Sequence, residues 1–239
     1  MKLDIITSTY NSNPAFLNEL YASLKAQTGS VDWRWVVRDD GSTTEWIDTS
    51  GDDRVVYSKG PNIGRGGSMA ELMSRPDLSD WVVFVDADDW VEPTALECMV
   101  GAIEKNPTSV LVYSNHWKHR MSGIIEDHIL LPSIAEDLLF GCGVFHLVGV
   151  SRAAYQRTSG YGPEFRYSSD YDLFLKMQEV GSFYHLDKQL YHWREHSSQM
   201  TTTARDQQIF TAYKAVRAAC PRRSLPYVPM LTWQFNSLN

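Results

Sequence analysis

The chain has 239 residues, 43% of them hydrophobic and 21% charged, a balance that suits one well-buried globular core and excludes a disordered or fibrous class. Its 22 Lys and Arg against 29 Asp and Glu give a formal net charge of -7, which argues against nucleic acid as a partner. A nucleotide remains open, because a few local donors and a divalent cation can hold a diphosphate on an acidic protein.

Leu3 to Thr7 reads as a buried first strand, followed by a polar loop through Asn11. Phe16, Leu17, Leu20 and Leu24 recur at helical spacing and predict a helix from about Pro14 to Ala26. Trp33 to Arg38 is a second strand, stopped by Asp39, Asp40, Gly41 and Ser42; Thr43 to Thr49 is expected to form a short helix and Arg54 to Ser58 a third strand. The glycine-rich segment from Gly60 to Gly67 leads into a helix ending near Met73. Trp81 to Val85 is continuously apolar and β-branched, the mark of a central strand covered on both faces. It runs directly into Asp86, Asp88 and Asp89. A helix from Pro93 to about Asn106 and a strand from Ser109 to Ser114 complete the first half.

Beyond residue 115 the pattern loosens. Ile134 to Leu139 and Tyr171 to Val180 are expected as helices, Val144 to Val150 and Phe183 to Trp193 as extended segments, and Thr203 to Ala219 as the last helix. The tail from Pro221 carries Tyr227, Trp233 and Phe235, open to a membrane surface, a partner subunit or packing on the domain. Alternating strands and helices predict an α/β fold with a mainly parallel central sheet flanked by helices. One domain is expected over 1–239, with a nucleotide-binding half at 1–115, an acceptor and catalytic half at 116–200 and a C-terminal helix and tail at 201–239. Cys98, Cys142 and Cys220 fit no zinc spacing and read as reduced thiols. The first apolar stretch is too short and too charged for a leader, and no apolar run has the length of a bilayer span. The expectation is a cytoplasmic protein, with peripheral contact at the inner face of a membrane and a homodimer left open.

In a parallel α/β sheet, ligands sit beyond the carboxyl ends of the strands. Polar clusters fall at three such ends: Thr7 to Asn13, Asp39 to Thr43, and Asp86 to Asp89. Asp-Asp-Gly-Ser is also ordinary turn chemistry, but three clusters meeting on one edge describe a site. Packing Asp86, Asp88 and Asp89 together is unfavourable unless cations compensate them, and hard oxygen ligands suit Mn2+ or Mg2+.

Ile5-Ile6-Thr7-Ser8-Thr9-Tyr10-Asn11, Val36-Val37-Arg38-Asp39-Asp40-Gly41-Ser42-Thr43 and Phe84-Val85-Asp86-Ala87-Asp88-Asp89 resemble the inverting glycosyltransferase family 2. Ser168-Ser169-Asp170-Tyr171-Asp172 resembles its catalytic segment, and His192-Trp193-Arg194-Glu195-His196-Ser197-Ser198 the segment that closes over metal and diphosphate. The resemblance implies a GT-A fold and a nucleotide-sugar donor, a UDP-sugar foremost. Thr9, Asn11, Asp39, Arg65, Asp86, Ala87, Asp88 and Arg194 would then bind the donor, and Asp88 and His196 the metal. Asp170 would be the catalytic base, with the capping of its helix as the alternative. The acceptor would be a glycan or lipid-linked saccharide, flanked by Gly141 to Gly143 and Ser159 to Pro163. Two departures stand out: Met69-Ala70 replaces the family's usual arginine-asparagine pair, and Ser169 replaces the glutamate before the base.

Two rivals differ in class. A nucleotidyltransferase should carry a glycine-rich, basic loop after the first strand, and Thr7 to Asn13 has neither feature. A non-catalytic relative that binds a nucleotide-sugar or glycan remains compatible with the two departures.

Overall fold

In the computed structural model, which describes residues 1–129 and 138–226, the chain folds around a nine-stranded sheet. The elements run β1 (Lys2–Thr9), α1 (Pro14–Lys25), β2 (Asp32–Asp39), β3 (Val55–Lys59), α2 (Gly64–Met73), β4 (Trp81–Phe84), β5 (Trp90–Val91) and α3 (Ala95–Lys105). They continue with β6 (Ser109–His119), β7 (Ile125–His128), β8 (Val148–Ser151), α4 (Arg152–Tyr155), α5 (Ser169–Gln178), β9 (Ser182–Arg194), α6 (Met200–Thr203) and α7 (Arg205–Arg222). The strand order is β3-β2-β1-β4-β8-β6-β9-β5, with β7 on β6. The β1, β2, β3 and β4 pairings are parallel, as is β6 with β9, while β8 is antiparallel to both its neighbours.

Both faces of the sheet are apolar because its central strands are apolar at successive positions. β1 sends Leu3 and Ile5 to one face and Ile6 to the other; β4 divides Val83 from Val82 and Phe84 in the same way. The first face is covered by Leu17, Leu20 and Leu24 of α1 and Leu96, Met99 and Ile103 of α3. The second takes Met69 and Leu72 of α2, Leu173 and Met177 of α5, and Ala215 and Val216 of α7. Polar groups inside are paired: Trp35 Nε1 donates to Thr7 Oγ1 at 2.9 Å, and that hydroxyl donates to the Val85 carbonyl at 2.9 Å. Pro14 opens α1 at a position where its missing N–H is harmless, and Asn13 Oδ1 accepts from Ala15 N at 2.9 Å.

The segment expected as a helix at Thr43–Thr49 is irregular instead. Gly41 turns the chain at a positive φ of 85°, and the segment then lies along the sheet edge. Ile47 is buried there, while Trp46 packs on Trp35 (5.6 Å between ring centres) and Tyr57 (4.4 Å), contacts that outweigh local helix preference. The expected strand at 109–114 extends to His119 because β9 and β7 pair along its far half. Of Val144–Val150, only the end, from Val148, is strand. The expected helix at Ile134–Leu139 and the tail beyond residue 226 lie outside the described residues, except that 138 and 139 form a turn. Among the described residues no helix is long and apolar enough to cross a membrane.

Arg38, at the end of β2, is 2% exposed and clamps α2 to the sheet. It pairs with Asp40 at 2.8 Å and Glu71 at 2.6 Å and donates to Ser68 Oγ at 3.0 Å and the Pro61 carbonyl at 3.1 Å. Removing one member of a buried pair leaves the other uncompensated, so Arg38→Leu should destabilise the fold by about 3–5 kcal/mol in urea unfolding. A loss below about 1 kcal/mol would show that the clamp is dispensable.

His116 is 5% exposed, and burial, with His128 and His146 nearby, pushes its imidazole down to about 3. Unfolded chains bind that proton near pH 6.5, so between the two values the unfolded state holds more protons and stability falls as pH falls. Wild type should therefore lose about 1.4 kcal/mol per pH unit relative to His116→Phe between pH 6 and pH 4. Parallel unfolding curves for the two proteins would contradict this.

Candidate active site

The ends of β1 and β2 are sewn together. Asn11, at φ 48°, donates its backbone N–H to Ser42 Oγ at 2.8 Å, and its Oδ1 accepts from Thr43 N at 2.7 Å and Thr43 Oγ1 at 3.1 Å. Thr9 is 4% exposed and its hydroxyl donates to Ser12 at 2.9 Å. Asp39 accepts from Ser42 N at 2.7 Å and Tyr57 Oη at 2.7 Å, with Lys59 Nζ at 3.9 Å. Burial pushes its carboxyl up, but Ser42, Tyr57 and Lys59 outweigh that and hold it below the ordinary range. Each Asp39 oxygen therefore already has a partner and keeps a lone pair for a ligand donor. Asp40 instead caps α2, accepting from Ile63 N at 2.8 Å and Gly64 N at 2.9 Å.

At the end of β4 the carboxylates of Asp86, Asp88 and Asp89 place ligand atoms within 4.8 Å of one another. Each has its own compensation. Asp86 meets Arg65 Nη2 at 2.7 Å and His146 Nε2 at 3.2 Å. Burial pushes its carboxyl up, but Arg65 and His146 hold it well below the carboxylate range, and Asp86 in turn draws the His146 imidazole up against its own burial. Asp88 Oδ2 lies 2.8 Å from His196 Nε2. Asp89 is 2% exposed and accepts from Tyr191 Oη at 2.7 Å and Arg194 N at 2.8 Å. Burial, with Asp88 and Asp86 beside it, pushes the Asp89 carboxyl well up. Asp89 belongs to the wall of the cluster, while Asp88 faces outward. The Ala87 side chain turns into the core, leaving only its backbone to a ligand.

Arg65 also donates to Asp170 Oδ1 at 2.5 Å and so bridges Asp86 to the first turn of α5. Its reach depends on Gly66, where an added Cβ would lie 3.2 Å from Ser169 Cβ and 3.3 Å from the Phe165 carbonyl. Met69, in place of the family's usual arginine, is 2% exposed and packs into the core. Arg65 lies one helical turn earlier on α2. Asp172, two residues beyond Asp170, is fully buried and pairs with Lys176 at 2.6 Å, so it is unavailable as a base. Around Asp170, the loops at Cys142 and Tyr161 close in. Burial and then Asp170 push the Tyr161 hydroxyl well up, and that hydroxyl has no hydrogen-bond partner.

Arg194 is less free than its sequence position implies. Its guanidinium lies between Phe16 (4.2 Å) and Trp90 (4.5 Å), donates to the Asp88 carbonyl at 2.9 Å and pairs with Glu19. It straps β9 over the acidic cluster. His192 bridges His119 at 2.9 Å and Glu92 at 3.0 Å and stacks on Trp90, a structural role. His146, Tyr191 and Tyr57 are the residues that sequence reasoning missed. Tyr191 directly precedes the His192–Ser198 segment, but only the fold brings these three to Asp86, Asp89 and Asp39.

The cluster fits a divalent cation. Ligands about 2.1 Å from an octahedral ion stand about 3 Å apart along an edge. Asp88 Oδ2 and His196 Nε2, partly exposed and hydrogen-bonded to each other at 2.8 Å, would turn the same atoms to the ion, while Asp86 and Asp89 keep their partners elsewhere. Two protein ligands, with the rest from water and phosphate, match the habit of Mn2+ and Mg2+. His196 Nδ1 lies 2.9 Å from Ser198 Oγ, which fixes the ring so that Nε2 faces Asp88. Asp88→Asn and His196→Ala should each weaken Mn2+ binding about 10-fold or more in calorimetric titration. Unchanged affinity in both would remove the metal from this position.

Against known proteins, the sequence profile described as "Glycosyl transferase family 2" matches residues 4–158. The O-antigen biosynthesis protein RfbC of Myxococcus xanthus is 27% identical over 225 residues, which cover 90% of this chain and 17% of RfbC. An uncharacterised glycosyltransferase of Haemophilus influenzae is 33% identical over 196 residues, 77% of this chain and 72% of that protein. The chondroitin synthase of Escherichia coli is 25% identical over 193 residues, and the chain spans only 28% of its length. Among solved structures, S. aureus TarS 1–349 in complex with UDP-GlcNAc superposes with a TM-score of 0.72 at 19% identity, over 96% of this chain and 68% of that one. With its GT-A fold, the chain belongs to glycosyltransferase family 2.

Proposed function

We propose that this chain is an inverting, metal-dependent glycosyltransferase that moves a sugar from a UDP-sugar to a hydroxyl of a glycan or lipid-linked saccharide. The observation that carries the proposal is the Arg65 bridge, which brings the end of β4 and the Asp170 carboxylate to one guanidinium. TarS, solved with UDP and with UDP-GlcNAc, supports the choice of donor, and the synthases among the relatives support a saccharide acceptor.

Residues 1–115 would hold the donor, with its base beside Thr9, Asn11 and Asp39 and its ribose and diphosphate along Asp86, the Ala87 backbone and Asp88. Residues 116–200 would shape the acceptor side, and 201–239 would form the C-terminal helix and tail of the same domain. Mn2+ or Mg2+ held by Asp88 and His196 would supply positive charge to the departing diphosphate. Arg194 would support this chiefly by holding the His196 segment in place. Asp170 would accept the proton of the acceptor hydroxyl as its oxygen bonds to the anomeric carbon. The bond from that carbon to the diphosphate breaks on the opposite side, which inverts the centre.

With Arg65 on Asp170, one oxygen of the base is occupied. A diphosphate carries more charge than a carboxylate and competes for the same guanidinium, so donor binding would draw Arg65 away and free Asp170. The same contact favours a second reading, a binding-only relative in which Asp170 remains a structural partner of Arg65.

Asp170→Asn should lower kcat for nucleoside diphosphate release by about 10²- to 10⁴-fold while UDP affinity stays within a few-fold. The assay is donor turnover with Mn2+ across UDP-, GDP- and dTDP-sugars, with EDTA as control. Metal-dependent UDP binding without turnover of any donor would favour the binding-only reading.

A further inference from the structure

Beside the acidic cluster, three strands present a row of rings. The register pairs His116 of β6 with Tyr191 of β9 on one side and His128 of β7 on the other, and cross-strand partners point to the same face. His146 stacks on Tyr191 with 5.3 Å between ring centres. Phe145, the residue before it, packs on both His116 and His128 at 5.7 Å, and those two rings are 4.6 Å apart. The row starts where the Tyr191 hydroxyl meets Asp89 and ends at Phe145, which is 44% exposed.

Two features are hard to explain by packing. A large apolar ring stays half open beside the site, although burying it would be favourable. His116, 5% exposed, keeps a buried Nδ1 with no hydrogen-bond partner, and a buried polar atom in that state asks for one that the protein does not supply. Burial lowers the proton affinity of the His116 and His128 imidazoles, so the outer end of the row, away from the His146–Asp86 pair, offers no cation.

We propose that Phe145 supplies the stacking face, and His128, whose ring stands at 77° to it, a polar partner at the rim, of a subsite for one pyranose ring of the acceptor saccharide. A pyranose has an apolar C–H face that lies on aromatic rings and a rim of hydroxyls that needs nearby polar groups. Rings of Phe and His supply both. Continuity with Asp86 through His146 favours a sugar over a lipid or a protein, because an acceptor hydroxyl must reach Asp170. Loop 138–147 links the two places: Cys142 on it feels the charge of Asp170, and Phe145 lies five residues from the Phe140 ring, itself 71% exposed. The proposal rests on the glycosyltransferase reading above and adds where the acceptor lies.

The test is a saturation-transfer NMR titration of the full chain, in UDP and Mn2+, with the methyl β-glycosides of glucose, galactose, N-acetylglucosamine and N-acetylgalactosamine. At least one should bind, and Phe145→Ala and His128→Ala should each weaken it about fivefold or more, with Phe145→Trp restoring affinity. UDP affinity, titrated separately, should stay within twofold in all three variants. Binding of none of the four glycosides, equal binding by wild type and alanine variants, or a matching loss of UDP affinity would each overturn the subsite. Glycoside binding that survives while UDP fails to bind would strike the donor assignment and leave the ring row standing.

Discussion

The site depends on how three carboxylates at the end of one strand are kept apart electrically. Like charges this close raise one another's proton affinity unless each has its own counterpart. The fold provides partners from separate directions: Arg65 from α2 and His146 from the loop before β8 to Asp86, His196 from beyond β9 to Asp88, and Tyr191 with the Arg194 amide to Asp89, whose carboxyl burial and its two neighbours still push up. The arrangement sorts the three. Asp86 is locked as an anion, Asp89 is turned inward under a phenol, and Asp88 is left facing outward beside an imidazole.

That sorting explains much of the surrounding architecture. Arg65 reaches Asp86 and Asp170 together because Gly66 lets α2 approach α5 closely, and because Arg38 and Asp40 fix the start of α2 against the end of β2. Arg194, held between Phe16 and Trp90, keeps β9 close enough for its backbone to cap Asp89. A residue that resembles a phosphate ligand by sequence position is, in the structure, first a tie between chain segments.

Much of this is legible in the sequence where the signal is local. The apolar run from Trp81 into Asp86 marks a central strand and the site at its end, and the polar stops after β1 and β2 mark the same edge. Pro14 and the leucine spacing after it identify α1 to within a residue of its end. Contacts between distant segments are not legible. Arg65 and Asp170 are 105 residues apart, and nothing in either neighbourhood announces the other. Tyr191 sits in an ordinary extended segment and His146 in the loop before β8, and both gain their roles only from where the fold places them. Thr43–Thr49 departs from the expected helix because the burial of Ile47 and the stacking of Trp46 are tertiary effects, invisible to local preference. Met69 stands where the family usually has an arginine and packs into the core, while Arg65, four residues earlier, pairs with Asp86 and Asp170.

The proposed chemistry requires that this cluster receive a nucleoside diphosphate through a divalent cation. Calorimetric titration of UDP into the full chain, once with Mn2+ and once with EDTA, probes that requirement without any need to know the acceptor. Saturable binding with Mn2+ that weakens about tenfold or more on chelation is the expected result. UDP binding of equal strength in both, or none in either, would contradict it.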